Sequence, residues 1–150
     1  MSAYFRWEPS PDHPGWTEYD LAGPEHYNRA VLGTLLVRGE GPDHCRVRLA
    51  PRPHHLNSAG RTHGGITLGL IDVSLFAAMY QLRQVPVSGS VTIDLQSQFI
   101  GPGDGSLPLD CVVELLRETG RMGFLRGLVV QEEALVASFT ATVRKPGTPK

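Results

Sequence analysis

The sequence predicts an α+β domain in which one long helix packs against about six mostly antiparallel strands. Two observations carry this prediction. A glycine-led apolar segment over 64–82 is long enough for a helix, and several shorter segments alternate apolar with polar residues, as half-buried strands do. At 150 residues, the chain is predicted to form one domain with its own hydrophobic core.

The N-terminal segment, residues 1–29, is rich in proline and aromatic residues. Because proline fixes φ and lacks an N–H, we expect an arm that is mostly loop, with its aromatic residues packed on the domain or on a partner subunit. The domain proper is assigned to 30–145 and a loose tail to 146–150.

The predicted helix lies between the second and the third predicted strands, so the order of elements is β-β-α-β-β-β-β. The residue-type patterns place these strands near 30–37, 44–50, 90–99, 107–117, 122–131 and 135–144. The alternation is clearest over 91–96 and 135–143. The predicted helix is apolar nearly all round and is therefore expected to be buried, wrapped by the sheet or covered in part by a partner subunit.

Composition excludes several classes of protein. The net charge of -1, without a run of basic residues, argues against binding to nucleic acid or to an anionic membrane. Cys45 and Cys111 are far apart and show no C-x-x-C spacing, which argues against a disulfide framework or structural zinc and favours a cytoplasmic location. No secretory signal and no run of eighteen apolar residues is seen, so no membrane helix is expected.

The segment NSAGRTHGGITLGLID, residues 57–72, combines a glycine-rich loop, a helix start and one acid. A helix N-terminus offers free N–H groups and a partial positive charge, and Gly64 and Gly65 leave these donors accessible. This arrangement suits the carbonyl oxygen of an ester or thioester that becomes an oxyanion. Asp72 is the only charged side chain between His63 and Arg83, and a carboxylate there could activate water or attack directly.

Helix geometry constrains this hypothesis. Gly64 and Asp72 are eight residues apart, which separates them by about 12 Å along one helix, so they cannot both reach one carbonyl carbon. If both act on the same substrate, Asp72 must come from a second copy of the chain. Two such helices paired across a two-fold axis create the arrangement twice, so catalysis predicts a homodimer with two shared sites.

Other interpretations of the same residues stay open at this point. The His63-Gly64-Gly65 sequence could serve only to cap the helix. Asp72 could lie on a narrow solvent-exposed face of the helix, or bind a buried partner without catalysing a reaction. We expect His63 to hold the loop by hydrogen bonding rather than to act as a base. His54, His55 and His63 lack helical spacing and a nearby carboxylate or thiol, so no metal site is expected. The sequence contains no G-x-S-x-G motif, which argues against a hydrolase with a catalytic triad. The GPGDG segment lacks the glycine spacing of nucleotide-binding loops, which argues against a nucleotide-binding protein.

The pattern Asn57-x-x-Gly60-x-x-His63-Gly64-Gly65, followed by Asp72, resembles the hotdog-fold acyl-CoA thioesterases of the PaaI-like, phenylacetate-pathway type. The segments VTIDLQSQFIGPG and RETGRMGF extend the resemblance, which spans about 30–144. It implies a hotdog fold, a helix wrapped by an antiparallel sheet, without a cofactor. It also implies hydrolysis of a small aromatic or short- to medium-chain acyl-CoA by a homodimer or a homotetramer built as a dimer of dimers.

The resemblance also implies roles for individual residues. Asp72 would be the general base or nucleophile, and the Gly64 N–H would polarise the thioester carbonyl. Asn57 would hold the attacking water or the thioester, His63 would orient the loop, and Thr92 would place the water or Asp72. Gly60, Gly65 and Ser90 are expected to contact substrate. In the family, the Asp and Thr come from one subunit and the Asn, His and Gly from the other, in agreement with the helix-length argument.

Two other functions compete with hydrolysis. A non-catalytic hotdog domain that binds acyl-CoA or an acyl carrier would need the glycine loop but no acid, so the joint presence of Asp72, Asn57 and Thr92 disfavours it. Hotdog dehydratases and hydratases carry a catalytic histidine deeper in the helix, and no histidine follows His63 in this chain.

Overall fold

A computed structural model describes residues 5–21 and 23–148. Its single α-helix packs on one antiparallel sheet of eight strands in the order β1-β2-β3-β4-β6-β7-β8-β5. The elements are β1 (Phe5–Pro9), β2 (Thr17–Leu21), β3 (Leu35–Gly39), β4 (His44–Leu49), α1 (Gly64–Arg83), β5 (Val91–Phe99), β6 (Leu109–Glu118), β7 (Met122–Gln131) and β8 (Ala134–Arg144). The predicted α+β class and hotdog architecture are confirmed, with eight strands in place of six.

The two additional strands lie in the N-terminal segment that was expected to be mostly loop. β1 and β2 form a hairpin in which Trp7 lies opposite Tyr19, and β2 continues the sheet through β3. Pro9 ends β1 at the edge of the sheet, where a missing N–H is tolerated. The rings of Phe5 and Trp7 pack edge-on against Tyr80 of α1, with centroids 5.0 and 4.8 Å away. This burial of aromatic surface outweighs the local preference of a proline-rich segment for loop.

The strand expected over 30–37 is shorter than predicted. A π-helical turn covers Asn28–Leu32, and β3 begins only at Leu35. Gly33 divides the two, with φ at +80°, a left-handed conformation that favours glycine. An apolar run of this length does not by itself distinguish a helical turn from a strand.

The helix α1 buries most of its surface against the sheet. Its fully buried side chains include Leu70, Ile71, Leu75 and Met79. Within the described ranges, α1 is the one helix long and apolar enough to cross a membrane, and 56% of that window is buried inside the fold, as in the core helix of a globular domain. Thr67, Asp72 and Ser74 interrupt its apolar run, which is why the sequence predicts no membrane helix.

One side of α1 is left open by the sheet. We call this side the open stripe, and it consists of Gly65, Leu68, Gly69, Asp72, Phe76 and Tyr80, all exposed or half-buried. These positions recur at intervals of three or four residues and therefore share one face of the helix. Strand β5 lies at the edge of the sheet beside this stripe and pairs only with β8 in the described chain.

Candidate active site

The loop before α1 is held by a tight turn at Asn57. The Asn57 side-chain oxygen accepts hydrogen bonds from the N–H groups of Ala59, at 2.9 Å, and Arg61, at 3.1 Å. The Asn57 N–H donates to the Arg61 carbonyl at 2.7 Å. Gly60 closes the turn with φ at +72°, which favours glycine. Asn57 and Gly60 thus shape the turn. The side-chain nitrogen of Asn57, Nδ2, has no hydrogen-bond partner among the described residues.

The GPGDG segment supports this loop from behind. The Thr62 N–H donates to the Gly103 carbonyl at 2.9 Å, and a side chain at Gly103 would collide with Thr62. The buried Gln131 accepts from the Asp104 N–H at 2.6 Å and donates to the Asp104 carbonyl at 2.7 Å. The segment that gave no nucleotide-binding fingerprint therefore serves as a rigid platform for the loop.

His63 caps the N-terminus of α1. Its Nδ1 accepts the Gly65 N–H at 2.9 Å, and its own N–H donates to the His55 carbonyl at 2.8 Å. The Gly65 donor is therefore occupied, whereas the Gly64 N–H has no acceptor in the described part of the chain. The ring of Phe99 lies close by, 3.4 Å from the place that a Cβ of Gly64 would take. Gly64 thus supplies an available donor beside an apolar ring.

His55 lies beneath this loop and serves the fold. It is fully buried, its Nδ1 accepts the Arg52 N–H at 2.9 Å, and its Nε2 donates to the Val31 carbonyl at 2.6 Å. Burial lowers the pKa of His55 below its usual value. No group of three His, Cys, Asp or Glu side chains suited to a metal occurs among residues 5–21 and 23–148.

Asp72 lies half-buried in the middle of the open stripe. The hydroxyl of Thr92, on β5, donates to its Oδ1 at 2.6 Å. The second carboxylate oxygen, Oδ2, has no hydrogen-bond partner in the described chain. Ser90, expected to contact substrate, instead donates its hydroxyl to the Pro86 carbonyl at 2.7 Å and thereby holds the turn that leads into β5.

The predicted residues form two separate groups in one chain. Asn57, His63 and Gly64 surround the start of α1, and Asp72 with Thr92 lies about 12 Å further along it. β5 runs antiparallel to α1, so that Thr92 lies beside Asp72 and Phe99 beside Gly64. A single copy of the chain therefore keeps its acid and its oxyanion donor apart.

Sequence reasoning missed Tyr27, which precedes the π-helical turn and reaches the open stripe at Gly69. Its hydroxyl contacts the backbone of Gly69, at the position that a Cβ of residue 69 would need. Burial, and after it the charge of Asp72, raises the pKa of Tyr27 above its usual value. The signal available in the sequence was the isolated glycine inside the helix, which marks a close approach of another group.

Comparison with known proteins defines the class. Residues 52–144 match the family model of the acyl-CoA thioesterase N-terminal domain. The chain therefore belongs to this family, and it is a thioester hydrolase of the hotdog fold. The match begins after the β1–β2 hairpin and Tyr27, which lie outside it. No curated protein is significantly similar to the chain in sequence.

Solved structures with the same fold include PaaI proteins and thioesterases. A mutant of the phenylacetic acid degradation protein PaaI from Thermus thermophilus is 26% identical, with a TM-score of 0.64 over 79% of this chain and 98% of that one. A conserved protein from Pseudomonas aeruginosa is 24% identical, with a TM-score of 0.68 over 80% and 94%. A hypothetical thioesterase from Streptococcus pneumoniae, solved with coenzyme A, is 18% identical, with a TM-score of 0.65 over 76% and 87%.

Proposed function

We propose that this protein hydrolyses a small aromatic or short- to medium-chain acyl-CoA to the free acid and CoA, at sites shared between two copies of the chain. The observation that carries the proposal is the division of the site within one chain. An oriented carboxylate with one free oxygen and a free oxyanion donor lie on the same helix but about 12 Å apart. A complete site forms when a second copy of the chain places its Gly64 N–H beside Asp72 of the first copy.

In the proposed reaction, Asp72 removes a proton from water as the water oxygen attacks the thioester carbonyl. The Gly64 N–H of the other copy donates to the developing oxyanion, aided by the positive end of the α1 dipole. When the tetrahedral intermediate collapses, the C–S bond breaks and the leaving thiolate takes the proton from Asp72. The products are the carboxylic acid and CoA, and the enzyme returns to its starting state.

Direct attack by Asp72 on the carbonyl is the second route, through a mixed anhydride that water then hydrolyses. A single turnover in water enriched in oxygen-18 identifies an anhydride that water hydrolyses at the Asp72 carboxyl carbon. Attack by water places the label in the acid released during the first turnover. Attack by Asp72, with hydrolysis at its own carboxyl carbon, places the label in the Asp72 side chain, which peptide mass spectrometry detects.

The edge strand supports a dimer, or a dimer of dimers. β5 pairs with β8 on one side only, and it exposes Val91 and Ile93, the latter by 53%. An unpaired edge with exposed apolar side chains is a site for pairing with another chain. Because Thr92 belongs to this strand, a contact between copies along β5 would form next to Asp72.

The free cysteines support the cytoplasmic location expected from the sequence. Cys45 and Cys111 are both buried and unpaired. Burial raises the pKa of both thiols, that of Cys111 to about 12, so they are protonated and unreactive at neutral pH. Such cysteines are compatible with a reducing compartment.

A thiol-release assay over aromatic and aliphatic acyl-CoAs tests the proposal. Asp72→Asn is expected to lower kcat by roughly 10²- to 10⁴-fold, the usual contribution of a general base. Asp94→Asn, which removes an exposed carboxylate from the same strand as Thr92, is the matched control and should retain parental turnover. Hydrolysis by folded Asp72→Asn protein at the parental rate would exclude the mechanism, and acyl-CoA binding without turnover in the parent would favour the non-catalytic alternative.

A mixing experiment tests whether the sites are shared. Gly64→Pro removes the donor at the first helical position, where proline is well accommodated. When chains with Asp72→Asn and chains with Gly64→Pro are unfolded and refolded together, about a quarter of the parental activity should return. Half of the dimers are then mixed, and each mixed dimer has one intact site of two. A site contained in one chain would give no recovery.

A further inference from the structure

Two other segments of the chain contact α1 at or beside the open stripe. β5 approaches with Thr92 and Phe99, and the N-terminal segment approaches with Tyr27. An acyl group held beside Asp72 would therefore lie close to both segments. Tyr27 belongs to a part of the chain that the thioesterase family model does not cover.

The contact between Tyr27 and Gly69 depends on the absence of a side chain. The Tyr27 hydroxyl occupies the space that a Cβ at Gly69 would require, and its Cζ lies 3.2 Å from that position. Gly69 precedes Asp72 by three residues, so the two share one face of α1. Glycine costs helix stability relative to alanine, and at this position it permits the ring to approach the helix backbone.

Tyr27 is nevertheless not a core residue. Half of its surface, 50%, remains exposed, and its hydroxyl makes no hydrogen bond with the described residues. The carboxylate of Asp72 is close enough to act electrostatically on the phenol. The Tyr27 ring thus lies beside the open stripe and is accessible to a ligand.

We propose that Tyr27 is a substrate-contacting residue that sets acyl selectivity: its ring, packed on Gly69, limits the space over the open stripe beside Asp72. This inference rests on the proposed function, because it takes the acyl group of the thioester to lie over the open stripe. The chemistry that it predicts is a preference for narrow acyl groups, unbranched chains or flat rings, over groups branched near the carbonyl.

The test measures selectivity as the ratio of kcat/KM for a branched acyl-CoA, pivaloyl-CoA, to that for an unbranched one, butyryl-CoA. Tyr27→Ala is expected to raise this ratio by about tenfold, the scale on which small changes in pocket size act. Tyr27→Phe, which keeps the ring, should change it less. Gly69→Ala should displace the Tyr27 ring and shift the ratio, although alanine itself favours the helix.

A size exchange makes the test specific to this contact. In the double variant Tyr27→Phe with Gly69→Ala, the added methyl group takes the place of the lost hydroxyl, and the ratio should return towards that of the parent. Gly120→Ala is the matched control, because a Cβ there meets no atom within 4 Å. It should leave the ratio unchanged.

The outcomes separate this inference from the proposed function. If the parent hydrolyses acyl-CoAs but the folded Tyr27→Ala and Gly69→Ala variants keep its ratio, Tyr27 only packs against the helix and the inference fails alone. If the parent hydrolyses none of the acyl-CoAs, the proposed function fails. Calorimetric binding of the two acyl-CoAs to the same variants then decides the role of Tyr27, and equal relative affinities in all of them would overturn it.

Discussion

The Thr92 hydroxyl on β5 donates a hydrogen bond of 2.6 Å to Oδ1 of Asp72 on α1, twenty residues earlier in the chain. This bond connects the free edge of the sheet to the open stripe of the helix. Because it occupies one carboxylate oxygen, it orients Asp72 and leaves Oδ2 for water. Four predictions follow from this bond and from the contacts that hold the loop.

Loss of the Thr92 hydroxyl should slow catalysis without unfolding the protein. Thr92→Val keeps the shape of the side chain but leaves Asp72 without its donor, and we expect kcat to fall by about 10- to 100-fold, the range for a hydrogen bond to a charged group. Thr92→Ser retains the donor and should retain most of the activity. Steady-state kinetics on one acyl-CoA measure both. Equal rates for the valine variant and the parent would show that the bond does not orient the acid.

The two polar groups of the Asn57 side chain should have different roles, the oxygen in stability and the nitrogen in catalysis. Asn57→Asp keeps the oxygen that accepts from Ala59 and Arg61 and should preserve the free energy of unfolding, whereas Asn57→Ala should lower it by about 1 kcal/mol. Both variants remove the unpartnered side-chain N–H donor of Asn57 and should lower kcat/KM similarly. Urea unfolding and thiol release are measured in parallel. Full activity in the aspartate variant would confine Asn57 to shaping the turn.

Removal of the His63 cap should destabilise the helix start. His63→Ala loses the acceptor for the Gly65 N–H and should lower the free energy of unfolding by about 1 kcal/mol. His63→Asn supplies a side-chain oxygen of the kind favoured at this position and should recover most of that loss. His44→Ala, at an exposed position on β4, is the control in the same urea titrations. A histidine acting as a base would instead give an asparagine variant that is stable but inactive.

His55 should make stability depend on pH. Its folded pKa is lowered by burial, so the unfolded chain binds more protons as the pH falls through the range of the ordinary histidine pKa, about 6.5. Protonation of Nδ1 would also abolish its bond from the Arg52 N–H. The free energy of unfolding should therefore be largest above pH 6.5 and decrease as the pH falls from 7 to 5.

Urea midpoints at several pH values measure this dependence, and His55→Gln should weaken it over the same interval. The exposed His44→Gln variant provides the comparison. A slope in the His55→Gln protein as steep as that of the parent would assign the pH dependence to other groups.

Much of the fold could be predicted because its signals are local. A twenty-residue helix begins where glycine follows the capping His63, and the alternation of apolar residues marks the later strands. The N-terminal hairpin could not be predicted this way. Its strands are held by pairing with β3 and by the contact of Phe5 and Trp7 with Tyr80, between residues more than seventy positions apart.

The candidate site also combines features that have local sequence signals with features that depend on contacts between distant segments. The glycine-rich loop that opens a helix and the one acid that interrupts its apolar run could be predicted from the sequence, because spacing along a helix is set by backbone geometry. Three further features depend on the packing of the folded chain: Thr92 reaches Asp72, the Gly64 donor stays available while that of Gly65 is occupied, and Tyr27 covers Gly69. Those contacts join distant segments, and they form only where packing of the helix on the sheet brings the segments together.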